Sequence, residues 1–176
     1  MADAPIDVRR FAVEILEAAH RALGRAVDGL TDEQVYQQPS PDTNSIGWLA
    51  WHLSRWKDRY AARVSGEPQV WVSEGWAERF GMDAEATGLG DTPEQVAAFR
   101  PDRELLFGYV AAAHRTTVER VAALTDEGLE QPYRYMETQE PRPVWRGLTG
   151  TIMDFTQHTG QIAYLRGLIT GFAWHG

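Results

Sequence analysis

Two histidines and an aspartate carry the chemistry that this chain can be read to offer. His52 lies in Ser45-Ile46-Gly47-Trp48-Leu49-Ala50-Trp51-His52-Leu53-Ser54-Arg55-Trp56, with Trp48, Leu49 and Trp56 at the i−4, i−3 and i+4 positions. At helical spacing the imidazole therefore shares a face with large apolar side chains. Asp154 and His158 stand four apart, flanked by Thr151, Phe155, Ile162 and Leu165, so both emerge from adjacent turns of one mostly apolar surface. Two neutral imidazoles and a carboxylate on rigid backbone make a three-ligand set for a divalent metal, with coordination positions left open to solvent or substrate. Each half also has a plainer reading, as a hydrogen-bonded core histidine and as a local Asp–His pair on one helix.

Long helices must position these groups. Phe11, Ile15, Ala19, Leu23, Ala26 and Leu30 step by three and four residues, which predicts an amphipathic helix over about 6–30. Thr31-Asp32-Glu33-Gln34 has a capping-box outline, and 38–44 is dense in turn formers. A second helix is expected over about 45–64, ending at Gly66 and Pro68. The stretch 66–91 holds Trp71, Trp76, Phe80 and Met82 among its glycines, and reads as a connection that crosses the fold or covers a site, with a short helix near 74–80. Thr92-Pro93-Glu94-Gln95 starts a third helix that runs to about 124, kinked or broken at Pro101. Residues 125–145, with three prolines, read as an extended loop or minor hairpin, and a last helix is expected over about 147–170, followed by an aromatic tail able to dock. Together these predict an all-α fold: one domain over 1–176, a four-helix bundle with a long crossover connection between helices 2 and 3. His20 and His114, which have no acidic or imidazole partner at helical spacing, read as structural or surface groups.

Composition narrows the partners. A net charge of −8, with no Lys/Arg-rich run, argues against nucleic acid and for a small-molecule substrate. The absence of cysteine removes disulfides and protein thiolates, so thiol chemistry would need sulfur from a cosubstrate. No stretch reaches membrane-spanning length and the N-terminus lacks signal-peptide character, so no membrane association and a cytoplasmic location are expected. A homodimer is expected through an exposed apolar helix face.

Asn44-Ser45-Ile46-Gly47-Trp48-Leu49-Ala50-Trp51-His52-Leu53 resembles the second-helix signature of the DinB-like superfamily, and His158-Thr159-Gly160-Gln161-Ile162-Ala163-Tyr164-Leu165-Arg166-Gly167 is similar to its last-helix signature. Order and separation match too, so the resemblance spans essentially the whole chain. It implies a four-helix bundle with a divalent metal on His52, Asp154 and His158, zinc foremost and nickel or iron as alternatives. Many members carry His or Glu where this chain has the shorter Asp154. The superfamily includes mycothiol-dependent maleylpyruvate isomerase and bacillithiol transferases. The resemblance thus implies a metal-dependent transferase or isomerase that joins a low-molecular-weight thiol to an electrophilic small molecule. An anionic cosubstrate would need basic contacts, for which Arg55, Arg166 and also Arg146 are the candidates, Arg166 foremost because it recurs in the resembled motif, with surface salt bridging as the plainer reading of each. Metal-dependent hydrolysis, and a stress-associated binding protein without turnover, are the competing expectations.

Overall fold

The computed structural model describes residues 7–134 and 140–171. The chain opens with α1 (Val8–Val27), whose first turn is capped by the Asp7 carboxylate accepting from the Arg10 amide. The short α2 (Asp32–Tyr36) carries the reciprocal Thr31/Gln34 capping box. Ser45 caps α3 (Ile46–Ser65), which stops at Gly66 in the left-handed conformation. Three short helices follow: α4 (Val70–Ser73), α5 (Trp76–Phe80) and α6 (Pro93–Ala98), the last capped by Thr92 and Gln95 with proline at its start. The break expected at Pro101 is present, and α7 (Arg103–Ala122) starts afresh with Asp102 as its cap. The 125–145 stretch forms α8 (Asp126–Glu130) and a two-residue antiparallel pair, β1 (Pro132–Tyr133) with β2 (Arg142–Pro143). The final helix, α9 (Val144–Thr170), begins three residues before the predicted start. The expected docking of the aromatic tail, 172–176, falls outside the described residues.

The fold is all-α, built on the four long helices. α3 packs on α7 and α9, and so does α1, which places α1 across the bundle from α3 and α7 across from α9. The buried stripe of α1 is Ala12, Leu16, Ala19, Leu23 and Ala26, while Phe11 is 60% exposed. Ala19, Leu23 and Ala26 thus lie inward as expected, but in the first turns the stripe runs through Ala12 and Leu16 instead of Phe11 and Ile15. Among the described residues no helix is long and apolar enough to cross a membrane.

The long connection 66–102 is clamped onto α3 by buried charge. Asp58 has a fully buried carboxylate: it accepts from the amides of Val70 and Trp71 at 3.0 and 2.9 Å and from the Tyr109 hydroxyl at 3.2 Å. One α3 turn away, the Arg55 guanidinium donates to the carbonyls of Ala86 (2.8 Å) and Ala84 (3.1 Å) and to Tyr109 (3.2 Å), and lies 3.5 Å from Asp58. Each charge is surrounded by hydrogen-bonding groups, the condition under which a buried pair is tolerated. Trp51, Trp71, Phe80, Phe99 and Tyr109 fill the space around this clamp with ring centroids 4.8–6.4 Å apart.

A second polar cluster sits among the four helices. The rings of His20 (α1) and His114 (α7) stack at 3.8 Å, and the Lys57 ammonium of α3 lies 4.0 Å from the Phe155 ring centre of α9. Burial, aided by the neighbouring cationic groups, pulls both imidazoles down to about 3, and burial alone, against the opposing pull of Asp58 and Glu17, brings Lys57 down to about 7. Glu17 stands 3.4 Å from Nε2 of His114 without hydrogen-bond alignment, and desolvation outweighs it, so that contact is not an ion pair at neutral pH.

Two outcomes follow from these clusters. Asp58→Ala, which strands Arg55 in the interior, should lower the urea-unfolding free energy by about 3–5 kcal/mol, whereas Arg59→Ala, which opens the exposed pair with Glu85, should change it by less than about 1 kcal/mol. A base whose folded value lies below its unfolded value leaves the native state short of protons, so stability rises with pH across the gap. The gap runs from about 3 to 6.5 for the histidines and from about 7 to 10.5 for Lys57. The urea midpoint should therefore drop between pH 7 and pH 5, and His114→Leu should shrink that drop; an unchanged drop would show that the stacked histidines are not its source.

Candidate metal centre

His52 is fixed on three sides. It is buried on α3, Trp48 stacks on its ring at 4.6 Å and 12°, and its Nδ1 lies 2.6 Å from the Thr87 carbonyl in the 66–102 connection. A carbonyl can only accept, so Nδ1 carries the proton and Nε2 of the neutral ring keeps its lone pair. Burial holds the His52 imidazole below its ordinary value, which favours that neutral form. The connection reaches the ring because Gly88 adopts φ +81°, and a Cβ there would come within 2.6 Å of Trp48, 2.9 Å of Trp51 and 2.9 Å of His52 Nδ1. The long connection thus covers this part of the bundle and orients its imidazole.

On α9, His158 is arranged in the same way from the opposite side. Its Nδ1 donates to Oε1 of Gln161 at 2.7 Å, which turns Nε2 toward Oδ1 of Asp154 at 3.4 Å. With Nδ1 protonated, a neutral imidazole would face the carboxylate lone pair to lone pair, an arrangement that requires a cation between them. A proton can serve, and the Asp154 carboxylate accordingly raises His158 above its usual value. A metal ion can serve as well: two ligands about 2.0–2.1 Å from a tetrahedral zinc stand about 3.3 Å apart.

The His52 and His158 rings meet edge to face, with centroids 5.2 Å apart. Two imidazoles on one tetrahedral ion place their ring centres at about that distance, roughly 5 Å. The pairs Asp154–His158 and His52–His158 each have a spacing that a divalent ion can bridge. Among the described residues no group of three or more His, Cys, Asp or Glu side chains is arranged to hold a metal ion. The three candidate ligands are thus brought to one region of the α3/α9 interface as two pairs, not as a three-ligand cluster.

The expected cosubstrate arginines are placed otherwise. Arg55 faces the interior and spends its donors on Ala84, Ala86 and Tyr109. Arg166 donates to the carbonyls of Arg25 (3.4 Å), Ala26 (3.0 Å) and Asp28 at the end of α1, where helical carbonyls lack partners. Arg146 instead lines a cavity of about 310 Å³ that reaches Asp154. Sequence reasoning passed over Thr87 and Gln161. Gln161 could have been found, since it follows His158 by one helical turn, but Thr87 acts through its backbone and leaves no mark in residue type.

Gly88→Ala should lower the melting temperature and abolish the downfield proton signal of the His52 Nδ1–H, because the added methyl drives the connection off the ring. Gly90→Ala is the control: it shares a positive φ, +85°, but a Cβ there meets nothing within 4 Å, so the His52 signal should survive.

Comparison with known proteins agrees with the fold. A protein described as a conserved protein from Enterococcus faecalis, known from its crystal structure, is 26% identical and superposes with a TM-score of 0.84, over 95% of this chain and 99% of its own. No curated protein matches the chain. The family model for the DinB superfamily matches residues 15–162, a span that includes both histidines, Asp154 and the connection that orients His52, and the chain belongs to that superfamily.

Proposed function

We propose that the protein is a metal-dependent transferase or isomerase that uses a low-molecular-weight thiol and an electrophilic small molecule, with His52, Asp154 and His158 as the metal ligands. The carrying observation is the matched hydrogen bonding of the two imidazoles, each donating Nδ1–H to an oxygen and so leaving Nε2 its lone pair, with the two rings in edge-to-face contact at the α3/α9 interface. Ligating histidines are commonly held by such outer hydrogen bonds, which fix tautomer and ring direction. Superfamily membership supports the reading, since the superfamily includes metal-dependent enzymes.

A divalent ion held there supplies Lewis-acid activation, lowering the proton affinity of a thiol that it meets. The chain's own residues prepare that chemistry. Thr87 and Gln161 keep the imidazoles in the ligating tautomer, and Trp48 shields the face of His52 from water. Asp154 offsets positive charge at His158, and the chain, which has no cysteine, offers no competing thiolate. The hydrolytic alternative needs a general base, and Asp58, the carboxylate nearest to His52 along α3, is fully engaged with Val70, Trp71, Tyr109 and Arg55.

Metal affinity should fall by about 10–100-fold in Gln161→Leu, the range expected when an outer hydrogen bond to a ligating histidine is lost, and by more in His158→Ala and His52→Ala. Competition with a chromogenic chelator measures this directly, and equal metal content in wild type and all three variants would remove the centre. The thiol part is tested with mycothiol, bacillithiol, glutathione and coenzyme A against an electrophilic acceptor. Zinc-dependent loss of free thiol with at least one is expected, and no loss across the panel sinks the transferase and isomerase reading.

A further inference from the structure

The cavity that reaches Asp154 differs in character from the metal centre beside it. Its volume of about 310 Å³ sits at the lower end of small-ligand pockets, which run from about 300 to 1,000 Å³. Its walls include the Tyr133 ring, the Met153 thioether and the bare backbone of Gly147 and Gly150, with Arg142 and Arg146 at one end. Both arginines are solvent-exposed, and among the described residues neither is within ion-pairing distance of a carboxylate. Arg146 rests against the Trp145 ring, its guanidinium carbon 5.4 Å from the ring centre, which limits its freedom without using its donors. Guanidinium pairs in this state are ready for a planar, two-oxygen anion.

The cavity is also polarised along α9. Arg146 and Asp154 are eight residues apart, two helical turns and about 12 Å of rise, so the cationic end and the carboxylate end are separated by roughly the length of an extended ten-atom chain. A second anionic group on the ligand would meet Asp154 at the far end and Glu140 on the lining, whereas an apolar body would meet Tyr133 and Met153.

We propose that this cavity binds a small monocarboxylic acid with an apolar body, its carboxylate gripped by Arg142 and Arg146 and its far end directed toward Asp154 and His158. This names a substrate class for the metal centre proposed above and rests on that reading only for what happens at the far end. The same carboxylate could belong to the electrophilic acceptor or to the thiol.

Calorimetric titration of the full chain in the presence of chelator, with hexanoate as probe, tests the binding. Hexanoate should bind saturably, and the neutral hexanamide at least tenfold more weakly. Arg142→Gln/Arg146→Gln should weaken hexanoate by at least tenfold. Gly150→Phe should abolish binding by filling the cavity, since a Cβ at Gly150 meets nothing within 4 Å and the helix can accept it. Arg59→Gln, which lies outside the cavity, should leave hexanoate affinity unchanged. Absence of saturable binding, equal affinity for the amide, or indifference to the double arginine variant overturns the proposal. Because the titration contains no metal, its outcome is separate from that of the chelator competition: either can fail while the other stands. In the zinc-loaded protein, tighter binding of 8-mercaptooctanoate than of octanoate assigns the carboxylate to the thiol, and equal binding assigns it to the acceptor.

Discussion

The Arg55–Asp58 pair holds the connection 66–102 to the body of the protein, and the candidate site depends on that attachment. Neither charge faces water, and neither could be buried alone without a penalty of several kcal/mol. They are accommodated because the connection brings them its own backbone: two amides to Asp58 and two carbonyls to Arg55, with Tyr109 of α7 bridging both. The dependence is mutual. Without the charges the connection loses its anchor, and without the connection the charges lose their partners. The same stretch, once anchored through Ala84 and Ala86, delivers the Thr87 carbonyl to His52 one residue later.

This arrangement explains why α3 defies the amphipathic rule. From Ile46 to Asp58 it is buried on every side save part of Trp56, because α7 and α9 cover its inner faces and the connection covers the outer one. A helix buried all round is expected to be apolar all round, yet this one carries His52, Arg55, Lys57 and Asp58 inside. Each is tied to something specific: a loop carbonyl, the Arg–Asp clamp, or the aromatic face of Phe155.

What the sequence made legible follows the same division. The four long helices, the capping residues Thr31 and Thr92, the stop at Gly66 and the break at Pro101 all rest on local rules, and all are found in the fold. The convergence of His52 with Asp154 and His158 was legible because both segments have strong apolar spacing. Position in the first turns of α1 was not: Phe11 is the largest apolar residue there, but the packing partners α7 and α9 select the smaller Ala12 and Leu16. The clamp role of Asp58 and Arg55 was not legible, because charge normally marks a solvent face or a ligand contact and only tertiary structure reveals the backbone groups that neutralise this pair. The Arg142 and Arg146 cavity lies against the β1–β2 pair, whose two-residue strands carry too little pattern to be read in advance.

The group that aims His52 is a main-chain oxygen, and this changes what evolution can alter at the site. Replacing the side chain at position 87 leaves a carbonyl in the same place, so residue identity there is free to drift. An insertion or deletion between the Arg55-held carbonyls at 84 and 86 and the tight passage at Gly88 would shift the oxygen out of reach. Selection on this segment therefore acts on its length and its glycine, and relatives with the same histidine geometry can look unrelated along the stretch that creates it.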